Sequence, residues 1–155
     1  YITIADKGGI SMRDKIIRIL WLDPIEVDSA IESEASLNPG LYYITRIWGE
    51  NETSLYIGKA SRTIRERLID HKKHWLPLYR GKLMVRIGQI IYPHSPDATL
   101  IDHAESALIF EHSEILTDNT DKRNTYSYSD LYQIQNTGNI GMLKEKIRMQ
   151  EHPDY

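Results

Sequence analysis

The stretch YIGKAS at residues 56–61 runs directly into RTIRERLIDHKKHW at residues 62–75, and the core of the fold can be predicted from this segment. It begins as an apolar strand, turns through a glycine and continues as a basic helix. Arg67, His71 and His74 are spaced i, i+4 and i+7, so they share one face of the predicted helix. A neighbouring apolar stripe consists of Ile64, Leu68 and Trp75. The pattern predicts a cationic row along the seam of a packed helix, and such a row suits an anionic ligand.

Length and composition are those of an ordinary globular domain. The chain has 155 residues, of which 41% are hydrophobic and 26% are charged, enough for one domain with a core of its own. No apolar run approaches the roughly 20 residues that a membrane helix requires, and no signal peptide is apparent. Because the sequence contains no cysteine, disulfides, zinc thiolate sites and thiol nucleophiles are excluded. We expect a cytoplasmic protein without a membrane partner.

Positive charge is concentrated in the middle of the sequence. Residues 56–86 contain nine Lys or Arg and two acidic residues, about +7, whereas the whole chain has a net charge of −3, so the remainder carries about −10. A negative overall charge taken alone argues against a nucleic-acid partner. Segregation as strong as this instead predicts a basic surface on an acidic body.

Hydrophobic periodicity and turn residues predict the remaining elements. Strands are expected at residues 41–48, 54–57 and 82–92, with the first two joined as a hairpin. Helices are expected at residues 11–21, 23–36, 62–76, 97–116 and 141–151. This order of elements indicates an α/β (α+β) fold with a small sheet.

Glu105 is the anomaly of the helix predicted at residues 97–116. Ile101 lies one turn before it and Ile109 one turn after it, so its carboxylate borders the apolar face. A buried charge needs a partner or a metal ion. Two interpretations stay open at this point: a metal ligand, or a carboxylate paired with an arginine in the core between sheet and helix.

Four features along the chain form one joint pattern. They are Gly40-Leu41-Tyr42, Tyr56-Ile57-Gly58, the spacing Arg67-x-x-x-His71 and the helical Glu105. Together they resemble the catalytic domain of the GIY-YIG nuclease family over roughly residues 39–128. The resemblance implies a small three-stranded antiparallel sheet flanked by helices, and metal-dependent hydrolysis of DNA phosphodiester bonds. We divide the chain accordingly into an N-terminal helical extension (1–38), a GIY-YIG nuclease-like domain (39–130) and a C-terminal helical tail (131–155).

The resemblance also assigns roles to individual residues. Glu105 would hold one Mg²⁺ or Mn²⁺, which are hard cations suited to oxygen ligands. Arg67 would bind a non-bridging phosphate oxygen. Tyr42 or Tyr56 would position or deprotonate the attacking water, and His71 would orient that tyrosine or shuttle a proton. Because a phenol has a pKa near 10, the role of base requires that this pKa be lowered by a nearby cation.

Other members of the pattern are less narrowly defined. Lys59 matches a position where some members of the family carry a lysine, and it could also bind a backbone phosphate. The asparagine that closes the motif is Asn119, which we favour on spacing, or Asn124. The candidate catalytic set is Tyr42, Tyr56, Lys59, Arg67, His71, Glu105 and Asn119. DNA contacts are expected from Lys59, Arg62, Arg65, Lys72 and Lys73.

Two functions are compatible with this pattern. The first is a metal-dependent DNA endonuclease, and the alternative is a catalytically silent DNA-binding or scaffold module on the same fold. The presence of both Glu105 and Arg67 favours the enzyme. No sequence-specific reader is evident, so we expect structure-selective or weakly specific cleavage, with restriction-type recognition through residues 117–130 as the alternative. One centre cuts one strand, so cleavage of a duplex would require a homodimer or two visits.

Overall fold

The computed structural model describes residues 14–120 and 131–149. Within these residues, seven strands form one sheet and three helices pack against it. In chain order the elements are β1 (Asp14–Trp21), β2 (Ile25–Glu26), α1 (Val27–Glu32), β3 (Gly40–Trp48), β4 (Asn51–Ala60), α2 (Ile64–His74), β5 (Lys82–Tyr92), α3 (Ala98–Glu111), β6 (Leu131–Gly138) and β7 (Lys146–Arg148). Two short 3₁₀ turns, Glu34–Leu37 and Leu76–Leu78, follow α1 and α2.

The sheet is mixed and has β4 at one edge. Its strands lie in the order β4-β3-β5-β1-β6-β7, and β2 pairs with β5. β1 and β6 are parallel, whereas the other neighbouring strands are antiparallel. In the β3–β4 hairpin, Tyr42 lies opposite Gly58 and Ile44 lies opposite Tyr56. The hairpin therefore brings the two predicted tyrosine motifs side by side at the edge of the sheet.

The predicted fold was wrong about the size of the sheet. The strands expected at residues 41–48, 54–57 and 82–92 are present as β3, β4 and β5 and are adjacent and antiparallel. They do not form a complete three-stranded sheet flanked by helices, because β1, β6 and β7 continue the sheet beyond β5. The helices expected at residues 62–76 and 97–116 are confirmed as α2 and α3, with shorter bounds.

The predicted N-terminal helical extension was also wrong. The helix expected at residues 11–21 is a strand over its described part, β1, where Ile17, Ile19 and Trp21 are buried and Arg18 is exposed. This alternation has the period of a strand, and pairing with β5 and β6 stabilises it over the competing helical pattern. Only part of the helix expected at residues 23–36 exists, as α1.

Serine side chains account for the early end of α1. The hydroxyl of Ser33 donates to the carbonyl of Ala30, and that of Ser36 donates to the carbonyl of Ser33. Hydroxyls that bond to nearby backbone groups compete with the helical hydrogen-bond pattern. The chain therefore leaves the helix after Glu32 and passes through a 3₁₀ turn.

The predicted C-terminal helical tail was wrong in its described part as well. Tyr132, Ile134 and Asn136 are buried on one side of β6, which lies parallel to β1. The helix expected at residues 141–151 is replaced by a turn and by β7, in which Ile147 is buried between exposed neighbours. Both strands depend on partners that are distant in sequence, so local propensity does not identify them.

Two apolar layers cover the two faces of the sheet. Along β3, Tyr42 packs against α1 and α2 on one face of the sheet. Tyr43 packs on the other face with α3 and with side chains of β1, and both tyrosines are fully buried. α2 and α3 thus lie on opposite faces of the sheet. No helix among the described residues has the length and apolar character needed to cross a bilayer.

Candidate active site

A cleft of about 380 Å³ opens at the β4 edge of the sheet, where α2 and α3 approach each other from opposite faces. Its lining consists of Tyr56, Lys59, Ser61, Arg67, Glu105, Ile109, Asn119 and Thr120. Five of the seven predicted catalytic residues are in this set. The remaining two, Tyr42 and His71, are buried directly behind Tyr56.

Local capping fixes where the two helices begin. The hydroxyl of Thr63 accepts a hydrogen bond from the backbone N–H of Glu66, so α2 starts at Ile64 and Arg67 lies at the end of its first turn. The carboxylate of Asp97 caps α3 in the same way. These two caps set the first residue of each helix, and thereby the positions along α2 and α3 from which Arg67 and Glu105 reach the cleft.

Glu105 faces the cleft, although only 8% of the residue is exposed. Burial raises the pKa of Tyr56, the Glu105 carboxylate adds to this rise, and the Arg67 guanidinium opposes it. Glu105, Tyr56 and Arg67 therefore influence one another across the same space. The direction of this shift is opposite to the lowered pKa that a phenolic base requires, so in the metal-free chain Tyr56 is a neutral phenol.

Only one of the two motif tyrosines reaches the cleft. Tyr42 is fully buried and its ring stacks on that of Tyr56, with 6.1 Å between centroids. Burial raises the pKa of Tyr42, and the neighbouring Tyr56 phenol raises this pKa further. Because Tyr56 lines the cleft and Tyr42 does not, Tyr56 is the phenol that can contact a substrate.

Gly58 leaves room for the rings of Tyr42 and Tyr56 to pack against the backbone of β4. A Cβ at this position would lie 2.4 Å from the Tyr42 ring and hydroxyl, and 2.7 Å from Cε2 of Tyr56. Both distances are far below normal carbon contacts, so any side chain here would displace one or both rings. Close approach of the rings thus explains why a glycine follows the second motif tyrosine.

His71 is held in one tautomer by a hydrogen bond from Trp75. The indole Nε1–H of Trp75 donates to Nδ1 of His71 over 2.8 Å, and an indole nitrogen can only donate. The neutral imidazole therefore carries its proton on Nε2, which lies 2.8 Å from the Tyr42 hydroxyl oxygen and donates to it. Trp75, which lies four residues after His71, is a contributor to the site that sequence reasoning assigned only to the apolar stripe.

Burial lowers the pKa of His71 to about 4, and the nearby Arg67 guanidinium adds to the effect. The ring is 5% exposed and is neutral at physiological pH. Of the two roles predicted for His71, this environment favours orienting Tyr42 over shuttling protons. The cationic row predicted along α2 is therefore not continuous, because its middle member is uncharged.

The depressed pKa of His71 predicts a loss of stability in acid. Unfolded histidine titrates near 6.5 and folded His71 near 4, so between these pH values the unfolded chain binds more protons. We expect the free energy of unfolding to fall as pH drops through this window, by roughly 1–2 kcal/mol from His71 after allowance for solvent screening. Urea unfolding at pH 7 and pH 4.5 measures the loss.

The matched control for this prediction is His74, an exposed residue on the same helix. The variant His71→Gln should flatten the dependence on pH, whereas His74→Gln should leave it unchanged. Burial also lowers the pKa of His112, and that contribution is present in both variants. An equal pH dependence in the two variants would show that His71 titrates normally.

Asn119 serves as a partner for the edge strand. Its side-chain oxygen accepts from the backbone N–H of Ile57 and its side-chain nitrogen donates to the carbonyl of Ile57, both over 2.9 Å. Ile57 lies between Tyr56 and Gly58, so the amide holds the motif from outside the sheet. The alternative candidate, Asn124, lies outside the described residues.

Most of the predicted DNA-binding side chains have partners within the fold. Lys59 pairs with Asp102 over 2.9 Å, Arg62 with Glu66 over 3.5 Å, and Lys72 with Asp28. The guanidinium of Arg65 donates to the carbonyl of Ile31, joining α2 to α1. Lys73 is exposed and has no ion-pair partner among the residues that the structure describes.

No family model, curated protein or solved structure matches this chain. A functional interpretation therefore depends on the chemistry of the cleft and on the resemblance in the motif residues.

The cleft contains one carboxylate that could hold a divalent cation. Among the described residues, no group of three or more His, Cys, Asp or Glu side chains could hold a metal ion together. Mg²⁺ commonly binds proteins through one or two carboxylates and completes its shell with waters and substrate phosphates. Glu105, buried at the wall of a polar cleft, fits that mode of binding.

Proposed function

We propose that this chain is a metal-dependent endonuclease that hydrolyses DNA phosphodiester bonds in the cleft beside β4. One observation carries the proposal: Tyr56 from a strand and Arg67 and Glu105 from two different helices line the same cleft. A guanidinium, a phenol and a buried carboxylate within one space are the groups that phosphodiester hydrolysis needs. The motif resemblance to GIY-YIG nucleases supports the same chemistry.

Each side chain has a separate task in this proposal. Arg67 binds a non-bridging oxygen of the scissile phosphate, because a guanidinium matches phosphate geometry and stays charged. The hydroxyl of Tyr56 holds the attacking water. Glu105 holds a divalent cation, Mg²⁺ or Mn²⁺, which when bound supplies charge compensation for the phosphate and the leaving oxygen.

The buried residues behind Tyr56 hold it in place. Trp75 fixes the tautomer of His71, His71 donates to the oxygen of Tyr42, and the hydroxyl of Tyr42 interacts with that of Tyr56. This series of contacts supports the Tyr56 ring at the wall of the cleft. Asn119 fixes the backbone of the same strand from the other side.

We further propose that the enzyme acts in the cytoplasm on DNA, and that cleavage of both strands requires two chains or two visits. A catalytically silent DNA-binding module is the competing function. It predicts DNA binding without cleavage, so one assay separates the two.

That assay is nicking of supercoiled plasmid by the intact chain in Mg²⁺ or Mn²⁺, with EDTA as the metal-free control. We expect metal-dependent nicking that falls about 10²-fold or more in Arg67→Ala, because one charge-stabilising donor of a phosphoryl transition state is lost. The matched control is Arg62→Ala, just before the N-cap of α2, whose partner Glu66 is at the surface. Nicking that survives EDTA, or that Arg67→Ala leaves undiminished, would contradict the proposal, and binding without nicking would favour the silent module.

A further inference from the structure

An exposed tryptophan lies at the end of the β3–β4 hairpin and is stacked against an arginine. Trp48 is 47% exposed, and the guanidinium carbon of Arg46 lies 5.1 Å from the centre of its ring. The same guanidinium lies 5.7 Å from the ring of Tyr79, and its Nε donates to the carbonyl of Arg80 over 2.7 Å. Arg46 is therefore fixed between two aromatic rings.

The turn between α2 and β5 supports the tryptophan from one side. Gly81 has a φ of +94°, and a Cβ there would lie 2.4 Å from the carbonyl oxygen of Ile47 and 3.2 Å from Cε3 of Trp48. Only a glycine permits this conformation and this approach. Trp48 is thus contacted by the Arg46 guanidinium and by the backbone at Gly81, and about half of the residue stays exposed to solvent.

The basic side chains around Trp48 have no acidic partners. Within residues 14–120 and 131–149, Arg46, Arg80 and Lys82 form no ion pair with a carboxylate. Lys59, Arg62 and Lys72 near α2 differ in this respect, because each of them pairs with a carboxylate. In the same hairpin, Glu52 is paired with Arg86. That leaves two nearby carboxylates, Glu50 in the turn and Asp118, which accepts from the Tyr79 hydroxyl, against three cations, so the net charge here is positive.

This surface is continuous with the candidate active site. The ring of Tyr79 contacts that of Trp75 with 6.1 Å between centroids, and Trp75 contacts Tyr56 with 5.5 Å. Asn51 is the residue of β4 that lies opposite Trp48. Tyr56 and Asn51 are five residues apart along β4, which corresponds to about 17 Å at the rise of an extended strand. At the 3.4 Å rise of a strand in duplex DNA, that distance corresponds to about five stacked nucleotides, and an extended unpaired strand covers it with fewer.

We propose that Arg46, Trp48, Tyr79, Arg80 and Lys82 form a surface that binds an unpaired segment of the DNA strand leading to the cleft. The inference rests on the proposed nuclease function and narrows its substrate to DNA with single-stranded nucleotides beside the scissile bond. A base stacks against the exposed part of the Trp48 ring, and the phosphates contact Arg80 and Lys82. Duplex DNA presents phosphates but no free base face, whereas an unpaired base offers both.

The test is equilibrium binding in EDTA, so that no cleavage occurs. The probes are a blunt fluorescent duplex and the same duplex with a single-stranded tail of about six nucleotides. We expect Trp48→Leu to weaken binding of the tailed duplex about ten-fold, since the stacking of one base on an aromatic side chain is lost. Binding of the blunt duplex should change less than about two-fold.

The control variant is Tyr92→Leu. Tyr92 is 45% exposed and has Arg18 stacked over it at 5.3 Å, but it lies at the far end of β5 from Trp48. The Tyr92→Leu variant should bind both probes with the same affinity as the intact chain. If Trp48→Leu does not fold, Trp48→Phe keeps a smaller ring, and a loss of about three-fold confined to the tailed duplex is expected.

Salt dependence separates the phosphate contacts from stacking. Arg80→Ala and Lys82→Ala should each lower the slope of log affinity against log salt by about 0.7 for the tailed duplex, whereas Trp48→Leu should leave the slope unchanged. The inference is overturned if Trp48→Leu and Tyr92→Leu behave alike, or if Trp48→Leu weakens both probes equally. If Trp48→Leu weakens binding of the tailed duplex alone and the intact chain cuts no DNA, the binding surface is supported and the nuclease function is contradicted.

Discussion

Replacement of Glu105 by Gln is expected to slow DNA cleavage by at least about 10³-fold without weakening DNA binding. Gln has nearly the same shape, so the packing of α3 against the sheet is retained, while the charge that we propose to hold a divalent cation is removed. The lost charge is negative and faces the cleft proposed for the phosphates, so we expect no reduction in the affinity for DNA. Single-turnover cleavage of a labelled duplex in Mg²⁺ and binding in EDTA measure the two quantities separately.

Glu111→Gln is the matched control for this change. Glu111 ends the same helix and pairs with Lys144 over 3.5 Å, outside the cleft. Its replacement should leave the cleavage rate within about two-fold, as for an exposed ion pair. A Glu105→Gln rate within ten-fold of the intact chain would remove Glu105 from the metal site.

Tyr56→Phe is expected to lower the cleavage rate by about 10²–10⁴-fold, because the hydroxyl proposed to hold the attacking water is lost while the ring stays in place. Tyr42→Phe should act differently. It removes the acceptor for Nε2–H of His71, and a buried donor without a partner costs about 1–3 kcal/mol of stability. Cleavage by Tyr42→Phe should fall only about ten-fold, through imprecise placement of Tyr56.

Paired measurements of single-turnover rates and urea unfolding distinguish the two tyrosines. Tyr43→Phe is the control, since Tyr43 is equally buried but faces the opposite layer, where its hydroxyl bonds to Ser54. It should lose stability without the large loss of rate expected for Tyr56→Phe. A slower rate for Tyr42→Phe than for Tyr56→Phe would mean that the buried phenol, and not the exposed one, meets the substrate.

The parts of the site that sequence predicts best follow local rules. Tyr56, Gly58, Arg67 and His71 lie within one strand–turn–helix unit, whose register is set by the cap at Thr63 and by hairpin pairing. Helical periodicity alone places Glu105 beside the apolar face of α3. The lining of the cleft agrees with that prediction, whereas the chemistry of these residues stays a prediction.

The remainder of the sheet could not be predicted from local patterns. Ile17, Ile19 and Trp21 fit a strand, yet the same segment also has a helical apolar face. The choice is made by β6, whose residue Ile134 pairs with Ile17 more than a hundred positions away. A partner at such a distance leaves no local signal, so the predicted helices at both ends of the chain were wrong.

Counting charges also overestimated the basic surface. Lys59, Arg62 and Lys72 are counted as positive in the sequence, but each has an acidic partner in the fold. Among the described residues, Lys73 on α2 and Arg46, Arg80 and Lys82 at the end of the hairpin form no such pair. Whether a charge is available to a ligand depends on its partner, and the partner is determined by the tertiary fold.

The most direct test of joint action by Arg67 and Glu105 on one phosphate is a double-mutant cycle. Single-turnover cleavage rates in Mg²⁺ are compared for the intact chain, Arg67→Ala, Glu105→Gln and the double variant on one labelled duplex. Residues that act as a unit are strongly non-additive, so the double variant should cut no more than about ten-fold more slowly than the slower single variant. Losses that multiply in full, or an intact chain that cuts no DNA, would contradict the account.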